Sequence, residues 1–272
     1  MHMKITKEKP LHTFGELKEP DLLLEDYFFV PLILLLSDTY PKKIGKKNFA
    51  KEAITYALIQ DRLNLSKLHA ERYTDADGRL FCCLKRKELC ELTGFSERTA
   101  VTVFENLETL GLINRVSQGP NAPWRIYINE YNPLDLHVRE KDASTRNIAF
   151  KMPYMMLKAS PYTSLSLEAR VLYAYMFNLT ISSFRNRDKY SDENGVYIVI
   201  PQEEICAILH INRNTAGKYV DELEAFGLLM VQRQAVPGKN AASKYYLKNF
   251  KEPVLCKEKP EVQNLNNRGC KM

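Results

Sequence analysis

The sequence has no apolar run long enough to cross a bilayer. Residues 32–36 are apolar, but Pro31 precedes them and Asp38 follows closely, whereas a membrane helix needs about 20 such residues. Residues 1–20 lack the apolar core of a secretion signal, so the expected compartment is the cytoplasm, with no membrane partner. The six cysteines, Cys82, Cys83, Cys90, Cys206, Cys256 and Cys270, form no Cys-x-x-Cys pair. The five histidines, His2, His12, His69, His137 and His210, are scattered. Zinc-finger spacing is therefore missing, and reduced thiols are expected. No glycine-rich phosphate loop, no Ser-His-Asp order and no His-hydrophobe-His motif accompanies the tyrosines. The expectation is a non-enzymatic protein with no catalytic residue, metal or cofactor. Asp75, Asp77 and Asp192 lie in turn sequences, where carboxylates bond the backbone.

What is present is enough for two ordinary domains: 272 residues, 45% hydrophobic. The formal charge of +6 fits a nucleic-acid partner without requiring one. The chain also repeats itself, and repeats decide fold readings. Tyr73-Thr-Asp75-Ala-Asp-Gly78 returns as Tyr190-Ser-Asp192-Glu-Asn-Gly195. One constant offset then separates Thr99-Ala100 from Thr215-Ala216, Leu107-Glu108 from Leu223-Glu224, and Gly111-Leu112 from Gly227-Leu228. Earlier, Val30-Pro31 matches Met152-Pro153.

The second repeat is the more explicit. Residues 201–209 read as a short helix, with Pro201 suited to its first position and two acids at its positive end. The turn His210-Ile-Asn212 follows, and Asn212 caps a second helix over 213–226. Ala216, Tyr219, Val220, Leu223 and Phe226 form its buried face, and Gly227 stops it. Residues 228–234 and 244–247 read as strands joined by the turn Pro237-Gly238-Lys239-Asn240. Helix, short turn, helix and hairpin outline a winged helix-turn-helix, whose second helix can enter the DNA major groove. Arg213, Asn214, Thr215, Gly217 and Lys218 occupy its exposed start. Gln232, Arg233, Lys239, Asn240, Ser243 and Lys244 lie on the hairpin. Arg and Asn suit base edges, and Lys suits phosphates. His210 reads most simply as a turn residue.

The first repeat has the same parts. Phe49, Ala53, Tyr56, Ala57 and Gln60 share one face of a leading helix. Residues 85–92 form the short helix, Ser96 caps the next, and Ala100, Val103, Phe104, Leu107 and Leu110 are its buried face. Strands over 112–116 and 124–128 close it. Its exposed face, Glu97, Arg98, Val101, Thr102, Glu105 and Asn106, is less basic. The second repeat is therefore expected to be the main reader of DNA. The first is expected to dimerise, or to touch DNA through Arg98, Thr102, Arg115, Gln118 and Arg125.

The expected fold is mainly α with small β-hairpins, an α+β fold of two tandem winged helix-turn-helix domains. Residues 1–24 are read as an N-terminal tail or loosely docked arm and 25–131 as the first domain. The linker is 132–147, the second domain 148–250, and 251–272 a disordered tail.

A family resemblance rests on particular residues. Tyr56-Ala-Leu-Ile-Gln-Asp61-Arg62-Leu-Asn-Leu-Ser66, Tyr73-x-Asp75-x-x-Gly78 and Leu107-Glu108-x-x-Gly111-Leu-Ile113 resemble the amino-terminal domain of the RepA_N plasmid replication initiators. So do Phe150-Lys-Met-Pro153, Asp192-Glu-Asn-Gly195-Val-Tyr-Ile198, Leu223-Glu-x-x-Gly227-Leu228 and Tyr246-x-x-x-Phe250. The resemblance implies a dimeric winged helix that binds repeated double-stranded sites at a replication origin, with host replication proteins as further partners. Two departures stand out. The family usually carries one such domain, and here it occurs twice. Phe177-Asn-Leu-Thr180 also replaces the Asp-Arg of the first repeat. A transcriptional regulator with the same folds, and a replication or partition accessory protein acting through protein contacts, remain alternatives.

Overall fold

Phe28 and Val30 alternate with more exposed neighbours, and Phe150 is set off in the same way from Ala149 and Lys151. Each set is the apolar side of a strand that needs a partner. The computed structural model describes residues 14–22, 26–45, 48–119, 122–131, 149–233 and 243–253, and in it the two strands pair with each other. The linker expected at 132–147 lies outside the described residues.

In chain order, β1 (Phe14–Glu16) is followed by a 3-10 turn, β2 (Tyr27–Pro31), α1 (Leu32–Leu36) and α2 (Thr39–Lys43). The long α3 (Ala50–Lys67), α4 (Ala70–Tyr73), α5 (Arg86–Thr93), α6 (Glu97–Thr109), β3 (Ile113–Val116) and β4 (Arg125–Ile128) complete the first repeat. The second begins with β5 (Ala149–Pro153), α7 (Met155–Lys158), α8 (Leu167–Arg185) and α9 (Arg187–Tyr190). It continues through β6 (Ser191–Asp192), β7 (Gly195–Val196) and β8 (Ile198–Val199). It ends with α10 (Gln202–Leu209), α11 (Arg213–Phe226), β9 (Leu229–Gln232) and β10 (Lys244–Pro253). The fold is α+β, with helices dominant and small antiparallel sheets.

Local chemistry explains the matching helix ends. Ser96 accepts a hydrogen bond from the Thr99 amide at the start of α6, and Asn212 accepts one from the Thr215 amide at the start of α11. Gly227 closes α11 with φ 97°, a left-handed position that suits glycine. The α5 and α10 helices also end left-handed, at Gly94 and at His210. His210 is thus a turn residue, its Nδ1 lying 3.4 Å from Asp38 Oδ1. Pro201 differs from expectation by one place: it is the extended N-cap residue of α10, not its first helical residue.

The core is continuous through both repeats. The faces of α3 at Ala53, Ile54 and Tyr56, and of α8 at Ala169, Tyr173 and Phe177, are buried, and these two helices pack on each other. Across them Tyr154 donates from its hydroxyl to Asp61 Oδ2 (2.7 Å) and Asn48 donates to Glu168 Oε1 (2.8 Å). Asn178, which stands where the first repeat has Asp61, bonds both backbone groups of Lys151. It thereby ties α8 to β5.

Two ends of the chain differ from the sequence reading. The expected N-terminal arm contributes β1, which pairs with β10 of the second repeat. Phe14 is buried there, stacked on Tyr162 and Phe226, so burial of one aromatic side chain fixes a segment whose composition reads as solvated. At the other end β10 runs on to Pro253, past the strand end expected at Leu247 and the domain end expected at Phe250.

Candidate nucleic-acid interface

In each repeat a short helix, a tight turn and a capped second helix precede an antiparallel strand pair, β3–β4 in the first and, within a four-stranded sheet, β9–β10 in the second. In the second repeat Ala216, Val220, Leu223 and Phe226 are buried. That leaves Arg213, Asn214, Lys218 and Asp221 exposed on the other side of α11, with Thr215 and Gly217 half-buried. The side chains of Asn214 and Lys218 have no hydrogen-bond or ion-pair partner among the described residues. Arg213 pairs with Glu203 of α10, and its carbonyl accepts from Gln202 Nε2 (3.1 Å). The Thr215 hydroxyl donates to Asn212 Oδ1 (3.1 Å), so this side chain serves the cap.

The hairpin residues are less free than their sequence suggests. Arg233 reaches back to Asp221 (2.8 Å) and Glu224 (3.1 Å) of α11. Lys244 is only 20% exposed and donates to Asp192 Oδ2 at 2.6 Å, while its ammonium lies 4.3 Å from the Tyr197 ring centre. Ser243 is half-buried at the head of the returning strand. Lys239 and Asn240 lie outside the described residues.

In the first repeat Arg98 is exposed, and Thr102 spends its hydroxyl on the Arg98 carbonyl (3.0 Å). Asn106, expected on the exposed face, instead donates to Glu52 Oε1 (2.7 Å) of α3. Arg115 pairs with Glu108 and is stacked between Phe104 and Trp124, at 5.0 and 5.1 Å. Arg125 donates to Gln118 Oε1 (3.0 Å) and covers the Phe81 ring. These arginines brace the hairpin. Sequence reasoning passed over the cavity of about 470 Å³ beside it, lined by Lys85, Arg86, Arg115 and Trp124 among others. Lys85 and Arg86 lie far from the lone Trp124 in the chain, so no local sequence signal announced the cavity.

The aspartates of the Asp-Gly and Asn-Gly turns do what such turns require. Asp75 accepts from the Asp77 and Arg79 amides, at 3.0 and 2.8 Å, and from the Tyr127 hydroxyl. Asp192 accepts from the Asn194 amide, Lys244 and the Tyr246 hydroxyl. In each repeat one carboxylate thus locks the turn to the returning hairpin strand. The Arg79 backbone N–H chiefly lowers the Asp75 pKa, and the Lys244 hydrogen bond chiefly lowers that of Asp192. Burial and the Asp192 carboxylate push the Tyr246 hydroxyl up to about 12. A carboxylate depressed on folding stabilises the protein above its unfolded value, about 3.9. That contribution fades as pH falls through the lower folded value. Stability should therefore drop below about pH 4, and Asp192→Asn should flatten that acid limb in thermal unfolding followed across pH. An unchanged acid limb would show that the turn lock contributes nothing.

Among the described residues no cluster of three or more His, Cys, Asp or Glu is placed to hold a metal ion. No described helix is long and apolar enough to cross a membrane.

A family model described as "Replication initiator protein A (RepA) N-terminus" matches the chain twice, over residues 26–139 and 149–258. The tandem reading made from sequence is borne out. No curated protein sequence matches. Two solved structures show partial likeness. One, described as "Structure of Rep-DNA complex", is 21% identical, with a TM-score of 0.31, over 44% of this chain and 87% of its own. The other, "N-Terminal domain of DNA binding protein", is 21% identical, with a TM-score of 0.32, over 44% of this chain and 86% of its own. Neither is similar enough to assign a fold by itself.

Proposed function

The chain belongs to the replication initiator protein A (RepA) N-terminus family, and from that membership we propose that it is a sequence-specific DNA-binding initiator acting at repeated origin sites in the cytoplasm. In this reading each repeat is a winged helix-turn-helix and the protein works by binding, without an enzymatic step of its own. The observation that carries the reading is the exposed start of α11. Asn214 and Lys218 project from a capped helix whose opposite face is buried, the arrangement that lets a second helix lie in a major groove. Arg213 joins them by exchange. Its exposed pair with Glu203 is worth about 0–1 kcal/mol, whereas a bidentate contact to guanine is worth about 1–3 kcal/mol.

The test is retention of duplex DNA across a salt series, with the repeats flanking the gene compared with random duplex. The expected result is tighter binding to the repeats, by about a thousandfold or more. Preference for a single inverted repeat over a promoter would favour a transcriptional regulator instead. Failure to retain either duplex at moderate salt would favour an accessory protein.

A further inference from the structure

The pairing of β2 with β5 has an internal symmetry. Phe28 lies opposite Met152, and Val30 lies opposite Phe150. Phe28 and Phe150 are counterparts in the two repeats, as are Val30 and Met152. The same contact is therefore made twice in opposite directions, about a centre where Phe29 faces its own counterpart Lys151. That reciprocity defines an isologous, two-fold interface. The helices follow it. The α1 helix packs on α10, and its counterpart α7 packs on α5, the counterpart of α10. The α3 helix packs on α8, its own counterpart. Phe28, Val30, Phe150 and Met152 are all essentially inaccessible to solvent.

We propose that the two repeats of one chain form a closed pair that takes the place of a two-chain dimer, presenting α6 and α11 to one DNA element with two unlike half-sites in inverted orientation. The DNA part rests on the function proposed above. The closed pair rests only on the fold. The apolar segment 27–36 is already used within the chain: β2 is paired with β5 and all of α1 is buried. Readers related by a two-fold axis meet the duplex in opposite directions. The half-sites must differ because the readers do: α6 offers Glu97, Arg98, Thr102 and Glu105 where α11 offers Arg213, Asn214, Lys218 and Asp221. A symmetric operator would waste that difference.

The experiment uses the full chain carrying Phe29→Cys with Lys151→Cys, oxidised mildly and compared with each single variant. Directly opposed residues of an antiparallel pair lie within reach of a disulfide. The expected product is a cross-link within one chain, at monomer mass in sedimentation and in non-reducing gels, for the double variant only. A cross-link joining two chains would show that β5 comes from a neighbour and overturn the proposal, as would a dimer of the unmodified chain at micromolar concentration. The DNA part is read from the mass of the complex with a single origin repeat. One chain per duplex, with an asymmetric footprint, is expected, and two chains per duplex would overturn it. A monomer cross-linked within itself that binds no duplex would keep the closed pair and refute the DNA assignment.

Discussion

Phe28→Ala is expected to lower the unfolding free energy by about 3–5 kcal/mol and to loosen both repeats together. Phe28 is fully buried, and its ring centre lies 5.0 Å from that of Tyr154, which belongs to the second repeat. It faces Met152 across the strand pair. Truncation removes apolar contacts from both sides and leaves a cavity that the backbone of a paired strand cannot close. The effect should exceed that of losing any exposed ion pair, which is worth about 1 kcal/mol at most. Denaturant unfolding gives the magnitude. Native-state hydrogen exchange gives the location: amides of α3 and of α8 should lose protection in parallel, as members of one cooperative unit. Loss of protection confined to α3 would mean that the repeats are energetically separate and that the shared core is only a contact.

The parts of this fold that were legible in the sequence are those fixed by short-range chemistry. Asn212 and Ser96 announce helix starts because a side-chain oxygen three residues before an amide caps it. Gly227 announces a stop because a left-handed residue is needed there. The aspartate turns follow from Asp-Gly and Asn-Gly. What was not legible depends on residues far apart in the chain. Phe28 and Val30 look like half of a strand, and so do Phe150 and Met152. Nothing local says that each is the other's partner. Phe14 stood among charges in a segment that reads as solvated, and only Tyr162 and Phe226 explain its burial. The site was half legible for the same reason. The spacing of buried residues on α11 shows which side chains face out, but not that Glu203 lies beside Arg213 or that Asp192 takes Lys244. Basic residues were counted as available, and acids from neighbouring elements had claimed several of them.

That correction changes which substitution should matter most for recognition. Asn214→Ala should reduce discrimination between the origin repeat and random duplex by about 1–3 kcal/mol, close to a 5- to 150-fold change. Lys218→Ala should instead weaken both duplexes alike and lower the salt slope by about 1. The distinction follows from the side chains. A carboxamide can give and take one hydrogen bond each at an adenine edge, which no other base pair presents in the major groove. A lysine ammonium neutralises a phosphate wherever the backbone passes. Both residues sit in the first turns of α11, and neither must give up a partner among the described residues to reach DNA. Lys244→Ala, by contrast, breaks the Asp192 lock and should affect stability more than sequence preference. Binding isotherms on cognate and random duplexes across a salt series separate these outcomes. If Asn214→Ala shifts both isotherms equally, or neither, α11 does not read bases, and Arg98 at the start of α6 becomes the residue to replace next.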